Sequence, residues 1–421
     1  MNIEILSIIV LLAMFVVGAI VPINLGVIGF VATFVIGSLI GDMDVNEIFE
    51  VFPADMFVIL AGVTYLFSIV QNNGTVDLII KWGLSLVRGN LGLMPWIMFA
   101  LTALLASIGT LGPAAVAIIA PIALRFAAQY SINPLLMGVL VVNGSVAGYY
   151  SPLNPIGLIV NGSMDKINVS YSPSMLFLNA LIFCAIVSLL VFFALGGLRL
   201  LKNSTSQSHV TVTVHDNTEI KEEGMTLYKG VTLAGIVLLV VLALVFKVNI
   251  GFAAFLVAFV LAMMAPKAQA GVVARMPWSV ILMISGVVTF VGVLEEVGAV
   301  DYMTELIASV KSPIVATLAA SYVGGIISSF ASTTGFLAAI IPLATPMLQD
   351  PAISSIGVIS AICVATAIVD LSPFSTNGSL ILANAQGVKE RVLFRQLLII
   401  SALFIVLGPG LAWLIFVLIG G

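Results

Sequence analysis

The sequence predicts an all-α polytopic membrane protein, with two inverted repeats of five transmembrane helices plus one re-entrant hairpin each, and two broken helices. Three observations predict it. The first is composition: 61% of the 421 residues are hydrophobic and only 8% are charged, more apolar surface than a soluble domain can bury. The second is run length, since the apolar runs are each about 17–25 residues, enough to cross the hydrocarbon core. The third is internal repetition. FPADMFVILAGVTYLFSIVQNNGTVD (52–77) lies over MPWSVILMISGVVTFVGVLEEVGAVD (276–301) without a gap, setting Pro53, Gly62, Gly74 and Asp77 on Pro277, Gly286, Gly298 and Asp301. Further on, Ser107, Pro121, Ser151, Pro152 and Gly157 fall on Ser328, Pro342, Ser372, Pro373 and Gly378.

In order, the first half reads as spans near 3–21, 25–41 and 56–71, then a short amphipathic piece, VDLIIKWGLSLVRG. The opening run has an acid and no base before it and no small-residue cleavage site, so it reads as a retained span and not a signal peptide. Two apolar arms follow around SIGTLGP (107–113), the pattern of a hairpin that enters and leaves on one face. A span near 134–162 is interrupted by GYYSPLNP (148–155), and 174–198 closes the half. The polar, Ser/Thr-rich linker 201–224 separates the halves and has no core of its own. The second half repeats the parts, with polar interruptions at SSFASTTG (328–335) and DLSPFSTNG (370–378).

Charge tests the topology. Five crossings per half, an odd number, invert the second half relative to the first. Lys81, Arg88, Arg125, Arg199, Lys202, Lys221, Lys229, Lys267, Arg275, Lys389, Arg391 and Arg395 then share the linker side, against Lys166, Lys247 and Lys311 on the other. Twelve against three follows the positive-inside rule. The linker is therefore expected to be cytoplasmic, both termini extracytoplasmic, and the first hairpin to enter from the cytoplasm.

Irregular backbone survives at membrane depth only where protein or a water-filled cavity surrounds it. Paired breaks at corresponding positions of inverted repeats point to a transporter's solute site. A break frees amides at a helix N-terminus, which attract anions, while freed carbonyls with Ser, Thr and Asn oxygens suit Na⁺. Three of the four breaks also have a structural reading: small-residue packing for SSFASTTG and proline kinks for SPLNP and SPFSTNG. The asparagines at the breaks weigh against simple kinks. Asp370, a carboxylate within a span, is by default a proton carrier or cation ligand; its structural reading is a cap for neighbouring amides. No Lys or Arg lies in any of the four breaks, so an anionic substrate must be held by amides, hydroxyls and bound cations.

The same reading sets aside other classes. With no basic patch, nucleic acid is not an expected partner. Cys184 and Cys363 each lie in apolar runs and read as small buried hydrophobes. His209 and His215 lie in the linker, so no catalytic or metal-binding cluster forms within the spans. No enzyme activity, cofactor or resident metal is expected.

At these four motifs the chain resembles the ion-transporter superfamily and, more closely, the MatC-type malonate/dicarboxylate carriers, which are similar to the divalent anion:sodium symporters. In the symporters each hairpin tip carries Ser-Asn-Thr ahead of an apolar arm ending in Pro. Ser332-Thr333-Thr334 followed by GFLAAIIP resembles that pattern with Thr in place of Asn. With Pro121 on the arm proline, Leu111-Gly112-Pro113 take the motif's place in the first hairpin, and hydroxyls remain only at Ser107 and Thr110. SPLNP (151–155) and SPFSTNG (372–378) resemble the family's unwound spans.

The resemblance implies a homodimeric secondary carrier for small dicarboxylates in the bacterial inner membrane, working as an elevator. Its scaffold would comprise 1–90 and 225–311, and its transport domain 91–200 and 312–421. VDLIIKWGLSLVRG and VDYMTELIASVK would be the connecting arms. Asn154, Ser332, Thr333, Thr334, Ser375, Thr376 and Asn377 are then expected to contact substrate. Ser107, Thr110, Ser151, Asp370 and Ser372 are expected to bind or support the coupling cation, with Na⁺ favoured over H⁺. The rival readings are a cation/proton antiporter or inorganic oxyanion permease on the same fold and, more remotely, an intramembrane enzyme.

Overall fold

The structure is a computed structural model that describes residues 2–85, 90–198, 200, 225–246, 248–299, 302, 312–329 and 333–420. Within these residues it is all-helical. The linker 201–224, most of the second connecting arm and Ser332 lie outside the described residues. Among the described residues, six helices are long and apolar enough to cross a membrane: Val45–Asn72, Gly112–Gln129, Pro173–Ala194, Trp278–Glu296, Ser355–Ala383 and Glu390–Ile419. Shorter apolar helices of 10–17 residues accompany them, among them Leu25–Ile40, Met94–Ser107, Pro134–Gly148, Ile250–Met264 and Pro313–Ser328.

Local chemistry sets the helix ends. Asn24, Asn133, Asn154 and Asn249 each stand immediately before a helix, and each side-chain oxygen accepts the backbone N–H two residues on. That satisfies an amide the helix itself leaves free. Pro134, Pro155, Pro173 and Pro313 occupy the first helical position, where a missing N–H costs nothing. Two features were not anticipated: the helix from Leu25 ends in a π-helical segment, Phe34–Ile40, and the last helix ends in another, Leu414–Ile419.

The two halves carry matched backbone geometry at corresponding positions. Pro53 and Pro277 precede their helices at φ −78, ψ 67 and φ −77, ψ 62. Gly74 and Gly298 end those helices at φ 75 and φ 78, the left-handed conformation glycine tolerates best. Pro121 and Pro342 lie inside the second arms of the two hairpins. The halves also interlock. Leu25–Thr33 packs on Trp278–Glu296, and Ile250–Met264 packs on Ala54–Asn72. At these crossings glycine meets glycine: a Cβ on Gly286 would lie 2.0 Å from the Gly26 carbonyl, and one on Gly62 2.3 Å from that of Gly251. Without a hydrophobic driving force in lipid, such close approach supplies the packing that holds helices together.

The interrupted spans occupy the centre. Ser355–Ala383 is mostly buried, whereas Glu390–Ile419 presents most of its surface outward. Pro134–Gly148 is buried along nearly its whole length and packs against both arms of the first hairpin, Met94–Ser107 and Gly112–Gln129. Pro313–Ser328 and Thr333–Leu343, the arms of the second hairpin, pack likewise on Ser355–Ala367. Protein therefore surrounds the irregular backbone that lipid could not accommodate.

Candidate functional site

Each broken span turns back on its own carbonyls. In the first, the helix ends at Gly148 and a new one starts at Pro155; the Gly157 N–H donates to the Tyr149 carbonyl at 2.9 Å. In the second, a 3₁₀ turn, Ile368–Leu371, leads through Ser372–Ser375 to the helix Thr376–Ala383. A Cβ on Gly157 would lie 2.2 Å from the Ser151 carbonyl, and one on Gly378 2.0 Å from that of Ser372. Glycine is what lets each new helix start directly over the break.

The first break is tied to the first hairpin by protein donors. The Asn154 amide donates to the carbonyls of Ala106 (2.8 Å) and Thr110 (3.1 Å), while its oxygen accepts from the Ile156 N–H (2.9 Å). The Ser151 hydroxyl donates to the Ser107 carbonyl at 2.6 Å. Carbonyls freed at the end of Met94–Ser107 are thus occupied by N–H and O–H groups. Asn154, expected at the substrate, faces the hairpin and does not line the central cavity. Neither do Ser107, Thr110, Ser151 or Ser372; the Ser372 oxygens instead close the second break, accepting from the Phe374 N–H and the Ser375 hydroxyl.

The second break centres on buried Asp370. One carboxylate oxygen accepts from the Thr333 hydroxyl at 2.6 Å and, more weakly, from Ser328 at 3.4 Å. The other accepts from the Tyr149 hydroxyl at 2.9 Å. That phenol oxygen accepts in turn from the Asn377 amide at 2.7 Å. Ser328 and Thr333 also hydrogen-bond one another. One network therefore joins the second hairpin, the second break and the first break.

Beside this network lies a cavity of about 530 Å³. Thr333, Thr334, Asp370, Ser375, Thr376 and Asn377 all line it, with Tyr149. The first hairpin contributes Leu111, Pro113 and Ala114, the opening residues of Gly112–Gln129. The N-termini of Gly112–Gln129, Thr333–Leu343 and Thr376–Ala383 thus meet at one space. Each brings the partial positive charge of a helix start. Opposite, Gly18, Val280 and Met283 form an apolar wall. Among the described residues, no Lys, Arg or His lines the cavity.

Tyr149 and Ser328 were not among the expected site residues. The signal for Tyr149 was its register: in the repeat it falls on Asp370. Ser328 opens the SSFASTTG stretch.

An all-helical membrane fold with broken helices meeting at a central polar cavity is the architecture of a transporter, not of an enzyme. Residues 1–149 match the family model described as "Dicarboxylate carrier protein MatC N-terminus". The crystal structure of the Alcanivorax borkumensis YdaH transporter is similar over 98% of this chain and 98% of its own, at TM-score 0.63 and 14% identity. At that identity the likeness is one of fold. No curated protein matches the chain.

Proposed function

We propose that the protein imports a small dicarboxylate, malonate or a related C3–C4 diacid, together with a cation, Na⁺ favoured over H⁺. The observation that carries the reading is the convergence of three helix N-termini with hydroxyl and amide side chains on a cavity that holds no basic residue among those described. Charge-assisted hydrogen bonds from such donors are stronger than neutral ones, and helix N-termini favour carboxylates by up to about 2 kcal/mol in partly buried settings.

Asp370 makes coupling a requirement of the site. A charged carboxylate and a dianion in one cavity repel: at an effective dielectric near 20, two like charges roughly 6 Å apart cost about 3 kcal/mol, on the order of a hundredfold in affinity. A cation or proton on Asp370 removes that cost, so solute and cation bind together. The hydroxyl oxygens of Ser328 and Thr333 stand beside the carboxylate as further ligands for Na⁺.

An elevator movement is supported by the division of the cavity wall. Its polar lining comes from segments 91–200 and 312–421, the transport domain, while Gly18, Val280 and Met283 come from the scaffold segments 1–90 and 225–311. An apolar wall offers the moving part no hydrogen bonds to break. The linker lies on the cytoplasmic side in this reading, with both termini outside. A second reading, a cation/proton antiporter or oxyanion permease, draws on the same buried Asp370.

Labelled malonate uptake into proteoliposomes, with an inward Na⁺ or proton gradient imposed separately, tests the proposal. Uptake driven by either gradient supports the carrier reading and names its ion. No uptake of any C3–C4 diacid by folded protein, with Na⁺/H⁺ exchange intact, would establish the antiporter.

A further inference from the structure

We infer that the Tyr149 hydroxyl is the switch through which neutralisation of Asp370 opens the anion site, an inference that rests on the dicarboxylate reading above. A phenol has one proton to donate. Here it is committed to Asp370, and the phenol oxygen is committed to the Asn377 amide. Tyr149 and Asn377 both line the cavity. So the charged form of Asp370 ties up the phenol proton and, through the phenol oxygen, one of the two Asn377 N–H groups, in a cavity with no basic side chain among the described residues.

When a proton or Na⁺ neutralises Asp370, the carboxylate no longer demands the phenol proton. A proton taken up sits on a carboxyl oxygen, from which it can be donated to the adjoining Thr333 or Ser328 oxygen. Tyr149 can then donate to a solute carboxylate, and Asn377 turns with it. The Asn377 carbonyl oxygen, buried without a hydrogen-bond partner, leaves that amide free of any competing restraint among the described residues. The switch adds a chemical gate to the simple charge repulsion.

The ring is placed for this role. Tyr149 is only 1% exposed. A Cβ on Gly112 would lie 2.1 Å from the ring and 2.5 Å from its hydroxyl, so only glycine at the start of the first hairpin's second arm leaves room for it. The hydroxyl consequently stands between Asp370 and a helix N-terminus. Among the described residues, no other titratable group lining the cavity competes for that position. Tyr150, in the same turn, donates to the Cys363 carbonyl, and no Lys, Arg or His among the described residues lines the cavity. Because Tyr149 and Asp370 belong to different halves, the switch also makes solute binding sense both broken helices.

The test is malonate and succinate binding by calorimetry to wild type, Tyr149→Phe and Asp370→Asn in lipid nanodiscs, with and without Na⁺ and at acid and alkaline pH. Wild type is expected to gain affinity on neutralisation, and Asp370→Asn to bind independently of the ion. Tyr149→Phe is expected to bind with the ion effect cut roughly tenfold, the loss of one hydrogen bond to a charged group. An ion effect in Tyr149→Phe equal to wild type overturns the switch, as does wild-type binding that ignores the ion. A wild type that binds neither diacid overturns the dicarboxylate reading itself. Should Tyr149→Phe not fold, the phenol C–O stretch of Tyr149 in the wild type, isolated by isotope labelling, decides. It is expected to shift on solute binding only when Asp370 is neutralised, and a shift independent of the ion refutes the switch.

Discussion

Asn154 and Ser375 stand at corresponding places after the Ser-Pro of the two breaks, and both cap the helix that follows. Their other bonds differ. Asn154 reaches across to two carbonyls of the first hairpin, whereas Ser375 bonds within its own turn, to the Asp370 and Ser372 carbonyls. Replacing Asn154 by Ala takes a hydrogen bond from two carbonyls of the first hairpin and removes a cap. Its unfolding free energy is expected to fall by about 2–4 kcal/mol, read by thermal or denaturant unfolding in detergent. Its ion dependence is expected to stay as in wild type, because Asn154 bonds to the first hairpin and lies outside the lining of the cavity that Asp370 faces. Asn377→Ala is expected to do the reverse, weakening solute binding roughly tenfold with a smaller change in stability.

The broken helices depend on glycine more than on proline. Proline starts the second segment of the first break, yet it is Gly157 and Gly378 that let the new helix lie over the carbonyls of the turn. Gly378→Ala brings a methyl to 2.0 Å from a backbone oxygen, a contact that only backbone movement can relieve. That movement would shift Ser375, Thr376 and Asn377 together. Uptake by Gly378→Ala is expected to fall at least about a hundredfold, since an ångström of misplacement in a binding constellation is enough for that. Gly196→Ala, with open space around its Cβ, is the control: its φ of 92 adds backbone strain far from the cavity and leaves uptake near wild type.

For the molecule, the two walls of the cavity make different predictions about exposure. Cys184 and Cys363 are both buried, so an added thiol can be read against a quiet background. If the segments that carry Thr376 move as a transport domain, Thr376→Cys is labelled by a membrane-impermeant reagent from both faces, with solute and cation shifting the balance. Val280→Cys, on the scaffold wall, keeps a fixed depth. Labelling of Thr376→Cys from one face under every condition would rule out the elevator.

Much of this was legible in the chain itself. Hydropathy located the spans to within a few residues: the expected 3–21 and 56–71 are the helices Ile3–Ile20 and Ala54–Asn72. The four polar interruptions are where helices break or turn, because buried backbone must find partners wherever proline or glycine ends a helix. Pro53, Gly74 and Pro121 matched their counterparts in sequence because the same local geometry needs the same residue types. Which way each polar side chain faces was not legible. Asn154 and Asn377 look alike in the sequence, yet one is spent on the first hairpin and the other lines the cavity. Tyr149 and Asp370, separated by 221 residues, become partners only when two broken helices pack side by side. Propensity and hydropathy act along a few turns of chain. The direction of a side chain at a break, and the hydrogen bond it makes, are decided by which distant segment packs against it.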